Sequence, residues 1–322
     1  MQDPHHPQRP QAILMLLLAN LFWGLSFPIV KALLLIHTQL LPEAGPWFSA
    51  IYTTAPRFLL AVAILIALRP REFWRVSRGE LKQGVGLGLF AAGGMLLQND
   101  ALQFTAASTS AFLTQVYAIL IPAWVAVRTR HLPGARVWLC GALVLAGVAL
   151  LGNFDWAELR FGRGEWETLL CSLFFMAQIL WLGKKEFASN RPEKITFVMF
   201  ATEALVFWPL AGAVAPDVHT LLAPWTSPAW VGLTVILTVC CTLGSFSLMN
   251  AWQPKITATE AGLIYCIEPI FASGMALFLP AWFSAWANID YANERATWTL
   301  LIGGGLITLA NIVIQLKPPE ED

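Results

Sequence analysis

The chain has 322 residues, of which 57% are hydrophobic and only 12% charged, and its 20 Lys+Arg balance its 20 Asp+Glu. Two soluble domains would fit that length, but apolar runs of about 20 residues, each able to cross a ~30 Å hydrocarbon layer, recur along nearly the whole chain. There is no basic domain for nucleic acid, and all five cysteines lie in apolar runs without a Cys-x-x-Cys pair, as small buried hydrophobes rather than disulfides or metal ligands.

The first 11 residues are polar and proline-rich, and the apolar run after them has no small-residue cleavage site. A retained first helix is expected, not a signal peptide. Taken in chain order, the apolar runs predict spans at Ala12–Ile36, Trp47–Leu68, Leu81–Leu102, Ala106–Val127 and Val137–Gly152, and then at Trp166–Phe187, Thr196–Ala215, Pro228–Asn250, Thr257–Pro280 and Ala296–Leu316. The expected class is therefore an all-α integral membrane protein with ten transmembrane helices. Fifteen of the twenty Lys and Arg fall in the tails and loops on the side of the termini and three on the other, so both termini are expected in the cytoplasm. Tryptophans near span ends, among them Trp47, Trp166, Trp230 and Trp298, suit the headgroup zone.

The chain also repeats itself. At a constant offset of 151, Leu96–Leu120 aligns with Ser247–Phe271, so that Asn99 meets Asn250, Ala111 meets Gly262, and Tyr117-Ala118 meets Glu268-Pro269. Two five-helix repeats follow, residues 12–152 and 166–316, joined by a linker at 153–165 that would be periplasmic, with cytoplasmic tails at 1–11 and 317–322. Five is odd, so the second repeat is inverted, an arrangement expected of secondary transporters with a solute site near mid-membrane. The second half is longer by about a dozen residues, through the insertion WFSAWANIDYANER before the last span.

FWGLSFPIVK in the first span, Pro56-Arg57-Phe58-Leu59-Leu60-Ala61 in the second, TAASTSAFLTQ opening the fourth and TATEAGLIYCIEP opening the ninth carry a family likeness. The chain resembles the drug/metabolite transporter superfamily, in its EamA-type branch of two five-helix halves, over Ala12 to Leu316. The resemblance implies a bacterial inner-membrane transporter of a small metabolite or amphiphile. It departs from the family pattern at Tyr117-Ala118, where such repeats often carry a proline, and in the insertion.

Ionisable groups deep in a span are costly enough that each should face a partner or a water-filled path. Glu268 lies eleven residues into its span, roughly 16 Å along a helix, and Pro269 beside it leaves the Tyr265 carbonyl without its helix partner. A carboxylate beside a free carbonyl suits a proton, a cation or a substrate amine; a helix pairing with a simple kink is the other reading. Arg57, at similar depth, could clamp a substrate carboxylate or serve a structural partner, and Glu203 could pair with either base. Glu260, three residues into its span, reads as a solvated helix end, and Lys31 as a snorkelling structural lysine. Asn99 and Asn250 match in the repeat, and Gln98, Gln115 and Gln178 add amides that either join helices or line a path. Trp23, Tyr117 and Tyr265 suit the walls of a mostly apolar pocket.

The sequence has no phosphate loop, zinc-helix or nucleophile-elbow motif, and its five histidines fall in the expected tail or loops. No cofactor, metal or enzymatic activity is expected. The expected function is secondary transport, outward and by alternating access, proton-coupled or facilitative, with a small-molecule solute and the bilayer as partners. Whether the chain forms a homodimer stays open. An integral-membrane enzyme acting on lipid and a non-transporting partner subunit remain the readings from other classes.

Overall fold

The computed structural model describes residues 8–71, 73, 75–105, 107–151, 162–295 and 297–316, so residues 1–7 of the first expected tail, the whole of the second and most of the linker lie outside it. Among the described residues every regular element is a helix, the arrangement that satisfies backbone groups within one segment in hydrocarbon. Starts are set by proline or by side-chain caps. α1 (Arg9–Leu40) and α2 (Pro46–Leu68) carry proline in their first turns, where its missing N–H costs nothing. α3 (Arg78–Phe104) opens with a capping box: Ser77 Oγ accepts from the Glu80 amide at 3.2 Å, and Glu80 accepts from the Ser77 amide at 2.7 Å. Next come α4 (Ala107–Thr114), α5 (Tyr117–Thr129), α6 (Ala135–Leu151), α7 (Arg163–Leu182), α8 (Pro192–Val214) and the short α9 (Val218–Leu222). α10 (Pro228–Thr238) passes through a π-helical turn, Val239–Gly244, into α11 (Ser245–Trp252). The chain ends in α12 (Ala258–Tyr265), α13 (Glu268–Ala276), α14 (Leu279–Ala287) and α15 (Trp298–Leu316).

The bundle is held by tight helix pairs: α3 with α7 and α8, α2 with α8, α6 with α15, and α1 with α13 and α11. Small residues permit this. A Cβ on Gly84 of α3 would lie 2.9 Å from the Ile195 carbonyl of α8, and one on Gly24 of α1 would lie 2.9 Å from the Ala272 amide of α13.

α4–α5 and α12–α13 are broken helices whose boundaries coincide at the offset of 151: Ala107 with Ala258, Thr114 with Tyr265, Tyr117 with Glu268. The hydrogen bonds across the two breaks also coincide. The Val116 amide donates to the Leu113 carbonyl as Ile267 does to Ile264, and the Ile119 amide to Val116 as Ile270 does to Ile267. Proline therefore does not create the break, since the first half makes it without one. Pro269 sits in the first turn of α13, not inside a continuous helix as its position in the span suggested.

Four helical runs among the described residues are long and apolar enough to cross a membrane: α1, α2, α8 and Pro228–Lys255. A fifth results if the pair Ala258–Ala276 and Leu279–Ala287, bent by 56°, is one span. The other expected spans hold helix but miss that standard: the fourth is broken, the third carries the polar stretch QND, and α7, which holds the sixth, opens on RGEWE.

Several expectations are corrected. The helix that fills the expected ninth span stops at Ala276, short of Pro280, and the insertion folds partly as α14. α1 runs past Ile36, so His37 is not in a loop: it is buried, and its Nε2 accepts from the Trp230 indole at 2.8 Å. Trp230 is accordingly a core residue, not an interfacial one, whereas Trp47, Trp166 and Trp298 are exposed as expected.

A candidate solute cavity at two helix breaks

Both breaks face a cavity of about 80 Å³ in the middle of the bundle. Tyr117 and Thr114 reach it from the first break, Glu268 and Tyr265 from the second. α1 contributes Trp23, whose ring meets Tyr265 and Phe246 edge-on with centroids 5.4 Å apart in each case. These rings build the apolar wall that the sequence suggested for Trp23, Tyr117 and Tyr265. The Tyr265 hydroxyl is already engaged, donating to Gln253 at 2.9 Å.

The polar groups differ sharply in what they still have to offer. Arg57 borders the cavity, but its Nε donates to Thr242 Oγ1 at 2.8 Å and one terminal nitrogen to the Cys241 carbonyl at 3.4 Å. Thr242 and Cys241 belong to the π-helical turn, a widening that takes backbone carbonyls out of regular helix bonding. Glu203, raised above as a partner, is fully buried, and neither of its carboxylate oxygens has a hydrogen-bond partner. Glu268 is the opposite case to Arg57: it lines the cavity as the first residue of α13, and among the described residues no hydrogen bond or ion pair reaches its carboxylate.

Among the amides, Asn99 borders the cavity while its nitrogen donates to Thr54 Oγ1 at 2.7 Å. Its repeat mate Asn250 makes the equivalent bond to Thr196 Oγ1 at 2.9 Å but does not reach the cavity. Gln178 also borders it, and its Nε2 has no partner. Gln98 bonds Thr114 at 3.3 Å, and Gln115 is buried at the first break, outside the lining.

Two sequence readings fail on geometry. Glu260 is not a solvated helix end: it is 1% exposed and ion-paired with Arg9 at 2.6 Å, tying α12 to the first turn of α1. Lys31 does not snorkel: its ammonium donates to the Leu102 carbonyl at 2.7 Å, occupying an orphan acceptor in the last turn of α3. Ser26, Phe175, Phe246 and Thr242 were missed, because an isolated hydroxyl or aromatic in a membrane helix looks the same whether it packs or lines a path.

Residues 10–153 match the profile of the EamA-like transporter family. The chain is thus similar to that family over its first half. A protein of Archaeoglobus fulgidus named an uncharacterized transporter is 25% identical over 327 residues, covering 96% of this chain and 87% of its own length. A solved crystal structure superposes with a TM-score of 0.68 at 18% identity, over 96% of this chain and 97% of that one. This last likeness concerns the fold alone. Family, relative and apolar helices agree on a multi-pass membrane transporter and not an enzyme.

Proposed function

We propose that this EamA-like protein is a secondary transporter that moves a small metabolite or amphiphile outward across a bacterial inner membrane, by alternating access of two inverted five-helix halves. The halves are residues 12–152 and 166–316, both termini lie in the cytoplasm, and the solute binds in the central cavity. The coincidence of the two helix breaks at one offset supports the repeat, and the distribution of Lys and Arg supports the orientation.

The observation that carries this reading is the Glu268 carboxylate, which has no hydrogen bond or ion pair among the described residues, in a ring-walled cavity. Arg57 is tied to Thr242 and Cys241, which leaves Glu268 as the charged group of the lining that has no fixed partner among the described residues. In this mechanism Glu268 takes a proton or a solute amine, Gln178 offers its free N–H, and Trp23 and Tyr117 hold the apolar part. Arg57 positions the π-helical turn instead of clamping an anion. Rocking about Pro28 in α1 and about the two breaks exposes the cavity to alternate sides.

The test begins with an untargeted comparison of metabolites outside cells with and without the protein. Hits are then followed in proteoliposomes of the wild type and of Glu268→Gln. A solute that accumulates outside and whose flux needs Glu268 supports the reading; flux indifferent to Glu268→Gln overturns the carboxylate's role.

A further inference from the structure

Two charged side chains sit at the centres of two helices that pack against each other. α2 and α8 each have 23 residues, and Arg57 and Glu203 are the twelfth of their helices. The helices form one of the tight pairs of the bundle, and Phe58 and Phe200, on the same stretch, have ring centroids 5.6 Å apart. α2 belongs to the first proposed half and α8 to the second, so the two charges lie where the halves meet. They are within electrostatic reach of each other, yet no hydrogen bond or ion pair joins them.

Arg57 turns instead to the π-helical turn Val239–Gly244, which also belongs to the second half. Neither acceptor there depends on it. Thr242 Oγ1 donates to the Leu237 carbonyl at 3.0 Å, and the Cys241 carbonyl accepts from Ser245 Oγ at 2.6 Å. Two of the five guanidinium N–H groups are used, and Arg57 makes no further hydrogen bond among the described residues.

Glu203 is fully buried behind the lining of the central cavity, and no donor reaches either of its carboxyl oxygens. The other elements against this stretch of α8 bring no charge: α3 meets it at Gly88, against Thr202, and α11 at Phe246, against Phe200. The Cys241 thiol lies beside Arg57. A carboxylate buried without a donor is unsupported, whereas a neutral carboxyl is tolerated there. Among the described residues the charge that acts on Glu203 is that of Arg57.

We propose that Glu203 is the proton-binding residue of the transport cycle and that Arg57 carries its state to the central cavity. In the arrangement seen here Glu203 holds its proton and Arg57 holds the π-helical turn. On deprotonation the proton passes to water in the cavity, which Arg57 borders and which has room for several waters. The Glu203 carboxylate then takes the guanidinium, and Thr242 and Cys241 are released. One proton moves, no other covalent bond changes, and Arg57 stays charged throughout. The swing takes Arg57 from the wall it shares with Glu268 and unties α2 from the π-helical turn, so one proton alters both the cavity and a contact between the halves. The proposal rests on the secondary-transport reading and deepens it: the coupling ion is a proton, Glu203 binds it, and Glu268 is left for the solute.

Infrared difference spectroscopy of the protein in lipid tests this without a solute. At neutral pH the wild type is expected to show the carbonyl stretch of a protonated carboxylic acid that makes no hydrogen bond, and alkaline titration is expected to remove it. Glu203→Gln should abolish that band and Glu268→Gln should leave it; Glu203→Asp, for use should the amide fold poorly, should displace it. Arg57→Gln should move the loss of the band to higher pH by about one unit or more, which lost packing alone does not do. With a solute from the metabolite comparison, a pH gradient across proteoliposomes should accelerate flux by the wild type and not by Glu203→Gln. A wild type without the band, a band that survives Glu203→Gln, a titration indifferent to Arg57→Gln, or an equal gradient response in Glu203→Gln would each overturn the proton site. If Glu268→Gln leaves flux unchanged while the Glu203 band titrates as described, the solute reading of Glu268 falls and the proton site stands.

Discussion

The two broken helices have the same backbone and opposite chemistry. α4–α5 and α12–α13 stop and restart at matching residues with matching hydrogen bonds, yet the first places Tyr117-Ala118 at the restart and the second Glu268-Pro269. The break therefore belongs to the architecture, and the carboxylate is an addition to one copy. A backbone opening in hydrocarbon is tolerated where it lines a cavity, and both openings do. At the restarts one half supplies a ring and the other a charge, while Arg57, Asn99 and Thr114 of the first half and Gln178 of the second add further polar groups to the lining.

The largest effect should come from removing that difference. Glu268→Gln keeps the shape and the hydrogen-bonding capacity but loses the charge, and solute flux in proteoliposomes is expected to fall by about tenfold or more, the loss of one charge-assisted contact. Tyr117→Glu, which makes the first break resemble the second, should sharply reduce folded yield in detergent, because it adds a second unpaired carboxylate to the same cavity.

The comparison extends to the glycines beside α13 and α12. Gly24→Ala would set a Cβ 2.7 Å from Phe271 Cβ and 2.9 Å from the Ala272 amide, so a backbone must move; a loss of about 1–3 kcal/mol, read as a lower melting temperature, is expected. Gly262→Ala meets only the tip of Ile121 at 2.8 Å, and its repeat mate is already Ala111, so the melting temperature should change little. Pro269→Ala should likewise leave both fold and flux close to wild type, since the first break forms without proline. A large loss there would break the equivalence of the two elements.

The smallest effect is a pH dependence at two matched helix starts. Ser77-x-x-Glu80 and Thr257-x-x-Glu260 each hold a buried glutamate that pairs with an arginine of another helix, Arg191 at 2.8 Å and Arg9 at 2.6 Å. Burial works to raise the Glu80 carboxyl, but hydrogen bonds from Arg191 and Ser77 outweigh it and hold it at about 2. A folded value below the unfolded one stabilises the fold above the ordinary carboxylate range, and the contribution is lost as pH falls towards 2. Glu80→Gln should flatten the acid side of a melting-temperature profile by that share.

Much of the architecture was legible because apolar runs, prolines and a constant offset are written along the chain. The boundaries of α12 and α13 could not be read, because the break is a backbone event with no fixed residue signature, and Pro269 pointed to a kink in one continuous helix instead. Depth pointed to Glu268, repeat position to Tyr117 and ring chemistry to Trp23, and all three border the cavity. Arg57's occupation by Thr242 was hidden, since nothing in VCCTLG announces a π-helical turn. Glu260 and Lys31 were misjudged for the same reason: depth along one helix says nothing about which neighbouring helix end, here Arg9 or Leu102, lies within reach. The Ser-x-x-Glu and Thr-x-x-Glu signatures were readable as helix starts, and a glutamate in such a box is a candidate for burial as much as for solvent.

The central claim is that the asymmetry between the two breaks carries the function, and paired flux measurements address it most directly. Wild type, Glu268→Gln and Tyr117→Phe are reconstituted at equal density, and counterflow of a solute found by metabolite comparison is followed. The account predicts a loss of about tenfold or more for Glu268→Gln and less than about twofold for Tyr117→Phe. Equal losses in the two variants, or full flux in Glu268→Gln, would contradict it.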